Sequence, residues 1–196
     1  ALLEVKTDKP LRALRFADSD AARVGDWVMA VGSPFGLGGS YTAGIISARG
    51  RDINSGPYDD FLQIDASINR GNSGGALLNS HGEVIGVNTA IFSPNGGNVG
   101  IGFAVPAKLA QAIIQDLHDD GIVERGWLGV RIQALSPELA ESLALPAPTG
   151  ALIAGVAPQS PAAAGGLQTG DVILSVNATK VEQMRDLPRL VASLEL

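Results

Sequence analysis

Ser73, which lies in a glycine-rich segment, is the residue in this chain best suited to covalent chemistry. The segment reads Ile68-Asn69-Arg70-Gly71-Asn72-Ser73-Gly74-Gly75-Ala76-Leu77. A serine hydroxyl becomes an effective nucleophile only when a base removes its proton and nearby donors stabilise the developing oxyanion. Glycines let the backbone turn so that neighbouring N–H groups converge, and we expect Gly71, Asn72 and Ser73 to form such an oxyanion hole. The segment therefore predicts acyl transfer through Ser73, with a glycine-rich hairpin turn as the alternative.

Other kinds of site find little support in the composition. The chain has no cysteine, and its two histidines, His81 and His118, lie far apart in sequence, so we expect no metal site and no cofactor. The run Gly36-Leu37-Gly38-Gly39 lacks the lysine and the helix start that a phosphate-binding loop needs. A net charge of −6 without a basic cluster argues against a nucleic-acid partner. No run approaches the ~20 apolar residues that cross a bilayer.

Short strands are predicted through the first half of the chain. The 25 glycines and 11 prolines favour many short strands joined by tight turns. The predicted strands cover Ala1–Lys6, Trp27–Val31, Tyr41–Ala48, Phe61–Ile64, Gly75–Leu78, Val84–Ile91 and Val99–Val105. Because no crossover helices separate them, this spacing indicates an antiparallel barrel or sandwich. A helix over Ala107–Asp120, with one apolar face, is predicted to close this part.

A second, smaller unit is predicted after this helix. Its elements are strands at Trp127–Ile132, Ala151–Val156 and Val172–Val176, a short helix at Pro137–Leu143, a helical turn at Ser160–Ala164 and a helix from Gln183 to about Leu194. The chain stops within or just after that last helix. We therefore expect both ends to be truncated.

Six blocks of sequence resemble the HtrA (Do-like, Deg) family of serine proteases. They are Val31–Gly36, Gly44–Ser47, Gln63–Ala66, Ile68–Leu78, Gly82–Thr89 and Val99–Pro106, in the family's order. The resemblance implies a mainly β chain with two domains. Residues 1–121 would be the C-terminal part of a chymotrypsin-like double β-barrel, and residues 122–196 a partial PDZ domain, which combines helices and strands.

The resemblance also assigns site residues. The family's nucleophile falls on Ser73, and its oxyanion loop falls on Arg70–Ser73. The primary specificity pocket falls on Ile68, Ile91 and Ile101, for which plain barrel core is the alternative. The PDZ carboxylate-binding loop falls on Gly126, Trp127, Leu128, Gly129 and Val130. A strand beginning near Val130 would receive the peptide, and the last helix would line its side-chain pocket.

The catalytic triad would be incomplete in these 196 residues. By the resemblance, the family's histidine and aspartate fall before Ala1. His81 and His118 are interpreted as surface residues, and Asp18, Asp20 and Asp65 as turn or surface groups. We therefore expect this chain alone to be inactive.

The function implied by the resemblance is that of an ATP-independent periplasmic serine endopeptidase that degrades misfolded proteins. Its PDZ domain would bind unfolded or misfolded polypeptides and peptide C-termini. The full-length protein would be a homo-oligomer built on trimers, as family members are. The alternative is a non-catalytic peptide-binding or chaperone module.

Overall fold

The computed structural model describes residues 2–194, and these residues form two compact units. The first unit extends to Val123 and the second starts at Glu124. The fold is mainly β, as predicted. The domain extents 1–121 and 122–196 stay predictions, and their ends at Ala1, Glu195 and Leu196 lie outside the described residues.

The first unit contains a closed antiparallel barrel of six strands. The strands are β1 (Trp27–Gly32), β2 (Ser40–Arg51), β3 (Phe61–Ile64), β4 (Ala76–Asn79), β5 (Val84–Ile91) and β6 (Gly102–Pro106). Around the barrel they follow the order β1-β2-β3-β6-β5-β4, and β4 pairs with β1 to close it. Of the two architectures that the sequence left open, the barrel is therefore the one found.

Apolar side chains from several strands fill the barrel. Ile46 of β2, Leu62 and Ile64 of β3 and Leu77 of β4 are each at most 1% exposed. Burying an aliphatic side chain of this size stabilises a fold by about 1.5–3 kcal/mol. The barrel core therefore provides a rigid frame for the loops at its ends.

A helix, α1 (Ala107–Asp119), follows β6 directly and packs on β5 and β6. Its first residue follows Pro106, which has no side chain that can cap the helix. Ser19 supplies this function from a distant loop, because its buried Oγ accepts a hydrogen bond of 3.1 Å from the Lys108 N–H. The cap ties the N-terminal segment to the end of the barrel.

The predicted strand at Ala1–Lys6 is wrong for the part that the structure describes. Residues 2–6 form no strand and are exposed, and Ala1 lies outside the described residues. A strand needs a neighbour for its N–H and C=O groups, and no described segment pairs with this one. The first β-bridge in the chain joins Phe16 to Val84. The other predicted elements are found, with ends that differ by a few residues, except for the strand over Val172–Val176.

The second unit is built on a three-stranded antiparallel sheet and a hairpin. Its strands are β7 (Val130–Gln133), β8 (Ala151–Val156), β9 (Val172–Ile173), β10 (Ser175–Val176) and β11 (Thr179–Lys180), and its helices are α2 (Pro137–Ser142), α3 (Pro161–Ala164) and α4 (Asp186–Ala192). The sheet order is β7-β8-β9, with β7 at an edge. The predicted strand over Val172–Val176 is interrupted at Leu174, because β9 pairs with β8 whereas β10 pairs with β11.

The helices of the described part are short. None of those within residues 2–194 has the length and apolar character that spanning a membrane requires.

Candidate active site

Ser73 lies on the loop that joins β3 to β4, and its side chain is exposed. The Ser73 Oγ donates a hydrogen bond of 2.8 Å to the main-chain oxygen of Thr89, which lies on β5. A hydroxyl in this position is accessible to a second molecule. It still requires a base to remove its proton before it can attack a carbonyl group.

The turn before Ser73 leaves two backbone donors unused. Gly71 has a φ of 105°, and the Asn72 N–H donates to the Asn69 oxygen at 3.0 Å. The Arg70 oxygen accepts a hydrogen bond of 2.8 Å from the N–H of Phe35. Neither the Gly71 nor the Ser73 N–H donates to another residue of the described chain. Two free N–H groups next to a serine hydroxyl can bind an anionic oxygen.

Asn88 of β5 holds the other side of the loop. Its backbone exchanges hydrogen bonds with the loop, from the Gly74 N–H to the Asn88 oxygen at 2.8 Å and from the Asn88 N–H to the Gly75 oxygen at 2.9 Å. Its side-chain amide donates to the oxygens of Val31 and Ala76. Asn88 is fully buried, so these bonds are shielded from competing water. The sequence reasoning missed this residue, although an amide within the largely apolar Val84–Ile91 strand was a signal.

The side chain of Asn72 forms the inner wall of the loop. It is 2% exposed and lies against Gly32, where a Cβ atom would be only 2.9 Å from the Asn72 Cβ. The Oδ1 atoms of Asn72 and Asn88 are both buried without a hydrogen-bond partner in the described chain. A side chain at position 32 would collide with Asn72, so glycine at this position keeps β1 in close contact with the loop that carries Ser73.

Neither histidine contacts Ser73 in the described structure. His81 lies on the turn between β4 and β5, where its N–H donates to the Asn79 Oδ1 at 2.9 Å. His118 lies on α1, its side chain is 74% exposed, and its Nδ1 is 3.2 Å from the carboxylate of Asp119. These positions agree with the interpretation of both histidines as surface residues. Within the described residues, Ser73 therefore has no imidazole base.

The three aspartates considered from the sequence have other partners. The Asp65 Oδ1 accepts a hydrogen bond of 2.6 Å from the Ile45 N–H on β2. The Asp18 Oδ1 accepts from the Asp20 N–H at 2.9 Å, in a turn. The Asp20 carboxylate pairs with Lys108, and this ion pair raises the pKa of Lys108. These contacts match the interpretation of all three as turn or surface groups.

The isoleucines assigned to the pocket lie beside the barrel core. Ile68 is 2% exposed and Ile91 is half-buried, and both pack within the core cluster. Ile101 is half-buried at the start of the chain segment leading into β6, and its oxygen accepts a hydrogen bond of 3.0 Å from the Phe92 N–H. Ile68 and Ile91 therefore do contribute to the core, and their assignment to a substrate pocket stays a prediction.

In the second unit, the strand predicted to bind peptide is the open edge of the sheet. The Ala157 N–H donates to the Gly129 oxygen at 2.8 Å, next to the pairing of Val130 with Val156. In an antiparallel ladder this makes Val130 a non-hydrogen-bonded position, with its N–H and C=O turned away from β8. An extended chain can pair with Val130 from that side.

The loop before β7 is fixed by its carbonyl groups rather than by its N–H groups. The Leu128 oxygen accepts a hydrogen bond of 3.0 Å from the Ala162 N–H on α3. Leu128 and Val130 pack against the apolar cluster that contains the buried Leu187 and Val191 of α4. The predicted loop, Gly126–Val130, thus leads from a close contact between Gly126 and Val191 of α4 into the edge strand, and it carries the exposed side chain of Trp127.

Two family models match the chain. A model described as a trypsin-like peptidase domain matches residues 1–87. A model described as a PDZ domain matches residues 116–190. The matches lie in the same order as the two compact units.

Curated relatives with high sequence identity cover nearly the whole chain. A protein of Rhizobium meliloti (strain 1021), named "Probable periplasmic serine endoprotease DegP-like", is 56% identical over 99% of this chain and 38% of its own length. A protein of the same name from Bartonella henselae is 53% identical over 99% of this chain and 38% of its own length. The chain thus spans about two fifths of these relatives. Their names agree with the predicted periplasmic location.

Solved structures give the same result. The HtrA-type protease AlgW with a tripeptide matches with a TM-score of 0.84 and 49% identity, over 97% of this chain and 63% of the other. AlgW with a decapeptide matches with a TM-score of 0.77 and 50% identity, over 93% and 57% of the two chains. The family resemblance predicted from the sequence is confirmed, and the chain belongs to the HtrA (DegP-like) family of trypsin-like serine proteases with a PDZ domain.

Proposed function

We propose that this chain is the nucleophile-bearing part of a periplasmic serine endopeptidase that degrades misfolded proteins. Ser73 is the nucleophile, and the turn formed by Gly71, Asn72 and Ser73 is the oxyanion hole. The histidine base and its orienting aspartate come from residues outside these 196. The proposal rests above all on the exposed Ser73 hydroxyl beside two N–H groups that donate to no other described residue.

In this reaction Ser73 Oγ attacks the carbonyl carbon of a substrate peptide bond. The histidine takes the hydroxyl proton, and the carbonyl oxygen acquires the negative charge that the Gly71 and Ser73 N–H groups bind. Collapse of the intermediate breaks the C–N bond as the histidine returns the proton to the leaving amine. Water then hydrolyses the acyl-enzyme. The hydrogen bond to the Thr89 oxygen must break first, because the hydroxyl cannot donate to a carbonyl and to the histidine at once.

Substrates are apolar in the position that enters the pocket. Ile68, Ile91 and Ile101 form the pocket, and their aliphatic side chains favour a small or branched apolar residue. Residues 1–121 form the protease domain and residues 122–196 the PDZ domain. The latter binds unfolded or misfolded polypeptides, and their C-termini in particular. The full-length protein is a homo-oligomer built on trimers.

Peptide binding uses the edge strand of the second unit. The loop Gly126–Val130 binds the terminal carboxylate, Val130 pairs with the peptide backbone, and α4 contacts its last side chain. The open edge at Val130 and the packing of Leu128 against the apolar cluster that includes Leu187 and Val191 support this assignment.

The nucleophile is tested with a fluorophosphonate probe on the longer protein that contains this chain. Ser73 Oγ attacks phosphorus, fluoride leaves, and the hydroxyl proton passes to the base. We expect one phosphonyl adduct, which peptide mapping assigns to Ser73 and which is absent in S73A. The 196-residue chain alone is expected to remain unlabelled. An unlabelled longer protein that still binds peptides would favour the non-catalytic binding module instead.

Peptide binding is tested on the same protein with a matched pair of peptides. Both end in the same apolar residue, one with a free carboxylate and one with an amide. Trp127 belongs to the proposed loop and is 62% exposed, so its fluorescence reports binding. We expect the carboxylate peptide to bind at least tenfold more tightly, about 1.4 kcal/mol. Equal affinities would contradict the assignment of Gly126–Val130 to carboxylate binding.

A further inference from the structure

Asn98 joins two loops at the candidate active site. It lies in the loop between β5 and β6, which also carries Ser93 and Asn95, and its contacts reach the segment just before Ser73. The Asn98 Nδ2 donates to the Ile68 oxygen at 2.9 Å. The Asn98 N–H donates to the Asn69 Oδ1 at 3.0 Å. Both bonds are partly buried, so water competes with them less than it would at the surface.

The same residue is held in place from its own loop. The Asn98 Oδ1 accepts a hydrogen bond of 2.9 Å from the Gly100 N–H, which closes a short turn. The side-chain oxygen, the side-chain amide and the backbone N–H of Asn98 are therefore all used. A side chain fixed at both of its polar atoms transmits the position of its loop to its partners.

The partners of Asn98 are the residues that lead into the oxyanion turn. Asn69 accepts from Asn98 through its side chain, and its main-chain oxygen accepts from the Asn72 N–H at 3.0 Å. Ile68 is one of the three isoleucines assigned to the pocket. Asn98 thus contacts the proposed pocket wall at Ile68. Through Asn69 it also contacts the turn that presents the Gly71 and Ser73 N–H groups.

We infer that Asn98 is a positioning residue that sets the pocket wall and the oxyanion turn together. The inference rests on the proposed function, because it assumes that Ser73 is the nucleophile. Asn98 contacts no reacting atom itself. Loss of its side-chain amide leaves the Ile68 oxygen unpaired, whereas the main-chain N–H of residue 98 keeps its bond to Asn69. The segment before Ser73 is then held by one bond instead of two, which tilts the turn away from the geometry that binds an oxyanion. Misplacement of about 1 Å in such a turn lowers a rate by up to ~100-fold.

The test compares substitutions at two asparagines of the same loop. N98D keeps the side-chain shape and loses the donor to Ile68, and N98A loses the whole amide without adding charge. N95A and N95D are the controls, because Asn95 only accepts hydrogen bonds from Ser93 and Gly97, within its own loop. All are made in the longer protein. The second-order rate constant for fluorophosphonate labelling is measured well below the melting temperature.

We expect both Asn98 variants to react about 10- to 100-fold more slowly than the unsubstituted protein, and both Asn95 variants to react within about twofold of it. With a peptide substrate, displacement of the turn lowers kcat, whereas displacement of Ile68 raises KM. A merely structural role would lower the melting temperature and leave the labelling rate of the folded protein unchanged.

Each other outcome has a defined meaning. Unchanged labelling rates in both Asn98 variants would overturn the role of Asn98 and leave the proposed function standing. A lower labelling rate in N98D alone would also overturn this role, because it would show an effect of the added charge only. An unsubstituted protein that is not labelled would overturn the proposed function and this role with it. If the Asn98 variants do not fold, N69A removes the other hydrogen bond between the two loops, the one from the Asn98 N–H. An unchanged labelling rate in folded N69A would also overturn the inference.

Discussion

Substitution of Gly71 by alanine tests whether the turn before Ser73 depends on a close backbone contact. Gly71 has a φ of 105°, which an L-residue reaches only with strain. A Cβ atom at this position would also lie 2.3 Å from the Ser33 oxygen and 3.0 Å from the Phe35 nitrogen. Both are main-chain atoms, so the contact can be relieved only by moving the segment that packs on the turn.

Gly74 provides the matched control. It lies in the same loop with a similar φ of 88°, yet a Cβ atom there would meet no atom within 4 Å. G74A therefore carries only the conformational cost, about 1–2 kcal/mol. G71A carries that cost and an overpacking cost of about 1–3 kcal/mol. The difference between the two variants isolates the contribution of the contact with Ser33.

Denaturant unfolding measures this difference. In a W127F background, Trp27 reports on the first unit alone, because it is the only remaining tryptophan in the sequence. We expect G71A to be about 2 kcal/mol less stable than G74A. Free energies of unfolding that agree within ~0.5 kcal/mol would refute the reasoning, because the contact with the Ser33 oxygen would then carry no cost.

Three further predictions concern other parts of the chain. S19A removes the distant cap of α1 and leaves the Lys108 N–H unpaired, so the free energy of unfolding should fall by about 1 kcal/mol, whereas an unchanged value would exclude a capping role. A178G relieves the strain of a φ of 66° between β10 and β11. Because glycine also increases the entropy of the unfolded chain, the net stabilisation should be about 0.5 kcal/mol, and a lower melting temperature would contradict this prediction. The Arg23 N–H donates to the Asp26 carboxylate and lowers its pKa. This hydrogen bond therefore stabilises the fold above about pH 3.9, and the stabilisation is lost as the pH falls through the lowered pKa. D26N should remove this acid dependence, and an NMR titration of Asp26 at or above the ordinary carboxyl pKa would contradict the assignment.

The sequence sufficed for the parts of the molecule that depend on local patterns. Short apolar runs between glycine-rich turns predicted the barrel strands, and the four-residue apolar repeat predicted α1. The prediction of a strand at the N-terminus was wrong although it rested on the same kind of pattern as the correct predictions. A local pattern reports that a segment can be extended, and only a neighbouring strand makes it part of a sheet.

The interactions around Ser73 depend instead on contacts that are distant in sequence. Asn88 reaches Val31 across 57 positions, and Asn98 reaches Ile68 across 30. The cap from Ser19 to Lys108 crosses 89 positions. These contacts exist only once the barrel has closed, so no periodicity or motif could have revealed them. A motif could identify Ser73, but not the residues that hold its loop.

The two units differ in whether their strands have open edges, and this difference determines where another chain could pair with the backbone. In the described residues of the first unit, every barrel strand has two neighbours, so its backbone offers no row of free groups to another chain. The second unit keeps β7 open along one side. The edge proposed to bind peptides is therefore also where cross-strand aggregation would begin, and a bound peptide would cover it.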